Sequence, residues 1–117
     1  MTVLIMAVLG GLGAVSRFIL DASIRAAHSS PVPVGTLVIN LSGSLLMGLL
    51  LGTGGTGTDW ALMLGMGFLG GFTTFSTASV EVVRLGKESP LRALLVCVGM
   101  AVGCVAAAWL GWTVTRG

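Results

Sequence analysis

The sequence predicts an all-α integral membrane protein with four transmembrane helices. Three observations carry this. Hydrophobic residues make up 55% of the 117 residues and charged residues only 9%. The mean hydropathy is +1.04. The apolar residues fall into four runs, each close to the roughly 20 residues that a spanning helix needs. A soluble domain carries about 25% charged residues, and this chain has too few to cover a water-facing surface. A soluble enzyme, a nucleic-acid binder and a disordered chain are thereby excluded. The net charge of +2 does not alter this, because the six Lys/Arg are scattered. A β-barrel is disfavoured, since the runs are continuous and do not alternate over ~10-residue lengths.

The first run goes from about Val3 to Asp21. No Lys or Arg precedes it and it exceeds the ~7–15 residues of a signal core, so it is expected to stay as a span. A polar stretch, Ala22 to Pro33, holds Arg25, His28, Ser29 and Ser30. The second run spans about Val34 to Leu51, followed by a Gly/Thr-rich connector from Gly52 to Asp59. The third run, about 60–85, opens on Trp60, which suits an interface. The fourth starts after Pro90, a first-turn proline, and ends near Trp109 and Trp112. Short connections make this one four-helix domain over residues 1–117. Small residues such as Gly10, Gly13, Ala14, Gly43 and Gly48 permit close helix approach in lipid. Cys97 and Cys104 share one helical face and read as small buried hydrophobes. With His28 as the lone histidine and no CxxC, a His/Cys metal cluster is not expected.

The third run carries the most chemistry. Gly65, Gly67 and Gly70 match GxGxxG, but a dinucleotide site needs a βαβ unit and this stretch lies inside a span. Paired glycines followed by Thr73, Thr74, Ser76 and Thr77 lower helix propensity at mid-membrane. A break at Gly70–Thr74 would free backbone groups, tolerated there only when buried in protein, lining a wet cavity or holding an ion. The other reading is a Gly-rich packing surface. Phe68, Phe72 and Phe75 recur at i, i+4 and i+7 as one aromatic stripe, for packing or for presenting positive ring edges to an anion.

Thr36, Asn40 and Ser44 share one face of the second helix. They either join helices or line a polar path. Arg17 lies roughly 14 residues into the first helix, about 21 Å along it. An intramembrane Arg is a functional suspect; the plainer reading pairs it with Asp21 at i,i+4. Glu81 is the one acid of the third run, placed to pair with Arg84 or Arg17. Arg17, Asn40 and Glu81 fall in the same half of the membrane, which suggests a water-filled vestibule.

Three motifs in order, Gly10-Gly11-x-Gly13-Ala14-x-x-Arg17, Gly35-Thr36-Leu37-x-x-Asn40-x-x-Gly43 and Gly70-Gly71-Phe72-Thr73-Thr74-Phe75-Ser76-Thr77 with Glu81, resemble the CrcB/Fluc fluoride channel family. The resemblance covers all four helices. It implies a fluoride-selective channel of the prokaryotic cell membrane through which cytoplasmic fluoride leaks out. It also implies an antiparallel dual-topology dimer with two pores, and a sodium ion held at the dimer centre. Carried over residue by residue, Gly70 and Thr73 supply sodium-binding carbonyls. Asn40, Phe72, Phe75, Ser76, Thr77 and Glu81 lie along the fluoride pathway, with Arg17 at the vestibule. Fluoride is small and strongly hydrated, so close amide and hydroxyl donors suit it better than a fixed counter-charge.

Two departures stand out. Ala78 occupies the position where the family typically has a second Phe, and the fourth run, Leu91 to Trp112, has no Ser or Thr. Arg25, Arg84, Lys87 and Arg92 flank the first and third connections, against Arg116 alone on the other side. This bias favours one orientation, with those connections cytoplasmic and both termini outside. It points to pairing with an oppositely oriented homologue rather than a homodimer. The competing readings are a four-helix proton-coupled exporter and a structural subunit supporting a partner's pore. The exporter needs a membrane-embedded carboxylate in the first helix, where this chain has Arg17.

Overall fold

The computed structural model describes residues 1–28, 33–53 and 59–116. Its elements are α1 (Thr2–Ala27), α2 (Val34–Gly52), α3 (Asp59–Leu62), a π-helical stretch (Met63–Leu69), α4 (Gly70–Phe72), α5 (Ser76–Glu88) and α6 (Pro90–Arg116). No strand occurs among the described residues. Four helical stretches are long and apolar enough to cross a membrane: α1, α2, the third span Asp59–Glu88, and α6. The protein is therefore an all-helical, multi-pass membrane protein. The expected connectors fall partly on 29–32 and 54–58, outside the described residues.

Two helices run past the ends that hydropathy suggests. α1 continues beyond Asp21 to Ala27. The continuing turn is rich in Ala, and Asp21 pairs with Arg25 at 2.9 Å, an i,i+4 pair with the acid first. The His28 N–H closes the end on the Ile24 carbonyl at 2.8 Å. α6 continues past Trp112 to Arg116. There the Arg116 guanidinium sits 4.3 Å from the centre of the Trp112 ring, a cation–π contact suited to the interface.

The packing is built on small residues. α2 lies along α6, α1 lies against the π-helical stretch and α4, and α5 lies against α6. A Cβ at Gly13 would overlap the Phe68 carbonyl, and one at Gly71 would overlap the Gly10 carbonyl. The α2–α6 crossing behaves alike: a Cβ at Gly48 would run into the Ala108 backbone and one at Gly111 into Leu45. Lipid gives apolar helices no reason to associate, so close backbone contact has to supply the attraction. Large apolar side chains accordingly point outward, among them Val8, Phe18, Leu94, Val105 and Trp109.

The third span is irregular before it breaks. Met63–Leu69 winds as a π-helix, with Gly65 and Gly67 buried. Wide turns of this kind concentrate at functional sites. Gly70–Phe72 returns to an α-turn, and helical geometry is lost at Thr73, whose φ and ψ are −79° and 158°. The break thus falls on Thr73–Phe75, displaced toward the C-terminal end of the expected Gly70–Thr74 window. Gly70 and Gly71 stay helical, with Gly71 committed to its contact with Gly10.

Gly13→Val should lower thermal stability in detergent by about 1–3 kcal/mol, because neither neighbouring backbone has room to move. Gly11, with open space around it, is the control: Gly11→Val should stay within about 0.5 kcal/mol. Equal melting temperatures for the two variants would contradict the close α1 crossing.

Candidate functional site

The centre of the site is a two-point clasp between α2 and the break. The Thr74 N–H donates to Asn40 Oδ1 at 2.9 Å, and Asn40 Nδ2 donates to the Thr74 carbonyl at 2.8 Å. The Asn40 amide therefore replaces both helical partners of one residue. Asn40 is 8% exposed and Thr74 8% exposed, so no water is needed to satisfy the backbone groups of that residue. The second Nδ2 direction meets Met100 Sδ at 3.5 Å.

The clasp has a consequence for two carbonyls. In an unbroken α-helix the Gly70 carbonyl would take the Thr74 N–H, and the Thr73 carbonyl the Thr77 N–H. Here the Thr74 N–H goes to Asn40, and the Thr77 N–H donates to Thr74 Oγ1 at 3.2 Å. The carbonyls of Gly70, Gly71, Phe72 and Thr73 therefore all lose their helical donors, the expected Gly70 and Thr73 among them. Gly70 is exposed and Thr73 partly exposed. Neutral oxygen donors without a carboxylate suit a hard monovalent cation such as sodium better than a transition metal.

The break also splits the aromatic stripe. Phe68 and Phe72 remain together, stacked with ring centroids 6.0 Å apart. Phe72 is buried, and a Cβ on Gly43 would touch its ring, so it packs in the bundle interior. Phe75, past the break, is 87% exposed on a groove of about 560 Å³ between α5 and α6. Asn40, Ser44, Thr73 and Thr74 give that groove its polar floor, and Ala78 lies beside Phe75. The structure thus separates Phe72 from the groove and brings Phe75, Asn40 and Thr73 together. Ser76 is exposed, its Oγ 3.4 Å from Thr74 Oγ1.

Two smaller cavities lie toward the α1 C-terminal end. One, about 140 Å³, is lined by Arg17, Asp21, Thr36, Thr74 and Thr77. Thr74 borders both this cavity and the groove. Arg17 and Asp21 share the cavity, but the carboxylate pairs elsewhere, with Arg25, and Asp21 Oδ1 is buried without a hydrogen bond. Glu81 pairs with neither Arg84 nor Arg17. Its Oε1 accepts from Arg25 Nη2 at 2.7 Å and from Thr36 Oγ1 at 2.8 Å. Glu81, Arg25 and His28 line the other cavity, about 270 Å³. Thr36 and Asn40 therefore both tie α2 to the third span, while Ser44 faces the groove.

A family model described as CrcB-like protein, Camphor Resistance (CrcB), matches residues 4–112. The chain belongs to the CrcB family. A protein of Cutibacterium acnes named fluoride-specific ion channel FluC 2 is 51% identical over 95% of this chain and 94% of its own length. One of Leifsonia xyli named fluoride-specific ion channel FluC 1 is 47% identical over 95% of this chain and 84% of its own. A FluC 2 of Mycolicibacterium paratuberculosis is 45% identical over 86% of this chain.

Within this CrcB chain, sequence reasoning missed Thr74 as the partner of Asn40, and Arg25 as the partner of Glu81. A signal existed for the first: a buried amide facing a helix interrupted at Thr-Thr has a peptide to satisfy. For the second, Asp21 has an Arg on either side at i,i+4, and the acid-first spacing favours Arg25 over Arg17.

Asn40→Asp keeps an acceptor for the Thr74 N–H but sets an oxygen against the Thr74 carbonyl. It should cost about 1–3 kcal/mol of stability, read as a lowered melting temperature of the purified protein. An unchanged melting temperature would remove the clasp from the account.

Proposed function

We propose that the chain is a subunit of a fluoride-selective channel that lets cytoplasmic fluoride leave passively and so relieves fluoride toxicity. It is not an enzyme. The observation that carries this reading is its near full-length similarity to proteins named fluoride-specific ion channels, at up to 51% identity. The site chemistry supports it. The groove offers amide and hydroxyl groups beside an exposed ring, Phe75, and no cationic side chain lines it. Donors without a fixed positive charge replace water around a small anion and still release it. Arg17 stands at the neighbouring cavity, where it would raise the local anion concentration before entry.

On this reading the groove is one wall of a pore, and a second chain running antiparallel supplies the other. Sodium at the dimer centre would be held by the Gly70 and Thr73 carbonyls of both chains. Ala78 supplies no second ring, and the Lys/Arg bias sets one orientation, so the partner is an oppositely oriented homologue. That partner brings the missing aromatic.

Fluoride efflux from liposomes loaded with potassium fluoride tests the function. A channel dissipates the gradient without a pH gradient. Efflux that requires a proton gradient would support an exporter, and no efflux with either subunit arrangement would overturn the channel reading. The pairing is tested in cells lacking their own fluoride channel. Fluoride resistance should appear on co-expression with an oppositely biased homologue and not with this chain alone. Full resistance from this chain alone would show that a homodimer suffices. Replacing sodium by N-methylglucamine should weaken the purified dimer; a dimer indifferent to sodium would remove the ion from the proposal.

A further inference from the structure

The groove between α5 and α6 has one wall that anion chemistry does not explain. Cys97, Met100 and Cys104 all line it. They stand at i, i+3 and i+7 of α6, so three sulfurs follow one another down one helical face. Both cysteines are free, Cys97 exposed and Cys104 partly so. They do not bridge each other: about 10 Å of helix rise separates them, and a disulfide needs Cα atoms within about 7 Å. Met100 is 8% exposed, its Sδ fixed 3.5 Å from Asn40 Nδ2.

A thiol is a weak hydrogen-bond donor and a thioether is none. Against a strongly hydrated anion this wall offers little. Toward a soft cation it offers much, because thiolate and thioether sulfur select monovalent copper and its heavier congener silver. Residues three and four apart on a helix are surface neighbours. Cys97 with Met100, and Met100 with Cys104, therefore each set a thiol beside a thioether. No group of three His, Cys, Asp or Glu side chains suited to a metal occurs among the described residues. The sulfur set matches the low coordination number of a soft monovalent ion instead.

We propose that Cys97, Met100 and Cys104 form a binding site for a soft monovalent cation on the wall of the groove, and that its occupation blocks fluoride passage. The blocking half rests on the reading of the groove as the fluoride pathway. Binding forms one metal–sulfur bond to a cysteine, whose thiol proton leaves to water, and one dative bond from the Met100 thioether. No electron is transferred. A cation held at Met100 Sδ takes the sulfur away from the Asn40 amide, in the groove that Thr74 and Phe75 also line.

Silver is the probe, because it stays monovalent and its fluoride is soluble; all buffers are free of chloride. Fluoride efflux is measured on this chain co-reconstituted with the oppositely oriented homologue, first without silver, then with it, so each assembly is its own reference. The expected result is a block of about tenfold or more in the wild type, reversed by dithiothreitol and lost in the Cys97→Ser/Cys104→Ser double variant. Met100→Leu, which takes the shared thioether from both pairs, serves if the double variant does not fold. In parallel, silver is titrated into the purified chain by calorimetry. Tight binding to the wild type should weaken about tenfold or more in Met100→Leu, which keeps the volume and removes the sulfur. Efflux insensitive to silver, or blocked equally in the cysteine variants, overturns the blocking site. Absence of efflux before silver is added defeats the channel reading instead, and the titration then decides the site alone. Equal silver binding by wild type and cysteine variants overturns it.

Discussion

The Asn40–Thr74 clasp is the interaction on which the rest of the site depends. A spanning segment has no water at mid-membrane, so each backbone N–H and C=O must find a partner in the protein. A helix does this for itself, and an interrupted helix does not. The third span loses helical geometry at Thr73, and the side-chain amide of α2 takes up both backbone polar groups of the next residue, Thr74. Asn is the apt residue, since its amide presents one acceptor and one donor face in a plane, like the peptide it replaces. Once the clasp is made, three things follow. The carbonyls from Gly70 to Thr73 lose their helical donors. Phe75 leaves the stripe of Phe68 and Phe72. Thr74 comes to border the groove and the Arg17 cavity together.

The clasp needs α2 to be held close and in register, and this is the work of the glycines. Gly48 and Gly111 let α2 and α6 meet backbone to backbone. Gly10, Gly13 and Gly71 do the same between α1 and the third span. At the α1 C-terminal end the charges add a further tie. Arg25 bridges Asp21 of its own helix and Glu81 of α5, and Glu81 also accepts from Thr36 of α2. Three helices are joined there by groups that mostly neutralise one another. Arg17 is left out of that network and lines a small polar cavity with Asp21, Thr36 and Thr77.

The sequence showed the spans plainly, because a four-span chain of this size must spend nearly all its residues on apolar helix. It also singled out Asn40 and Arg17, since polar groups in hydrocarbon are costly enough to demand a reason. The position of the break was less legible. Glycine serves both interruption and close packing, and composition does not separate the uses: Gly71 proves to be committed to packing against Gly10, so the interruption falls on the threonines that follow. Helical spacing put Phe72 and Phe75 on one stripe, but spacing holds only within one unbroken helix. The partner of Glu81 was hidden for a different reason. Arg25 lay in a stretch read as a polar connector, and it reaches Glu81 because α1 runs on to Ala27. Cys97 and Cys104 of α6 read from the sequence as small buried hydrophobes, whereas Cys97 is exposed and Cys104 partly so, because that helical face borders the groove.

Solid-state NMR on the protein in bilayers, with labelled threonine and asparagine, tests the clasp most directly. The 13Cα and 13Cβ shifts of Thr73 report whether its backbone is extended or helical, and Asn40→Ala removes the clasp without adding a new polar group. The account predicts extended shifts for Thr73 in the wild type, lost or split into several populations in Asn40→Ala. Helical shifts in the wild type, or extended shifts that survive the substitution unchanged, would show that something other than Asn40 holds the third span open.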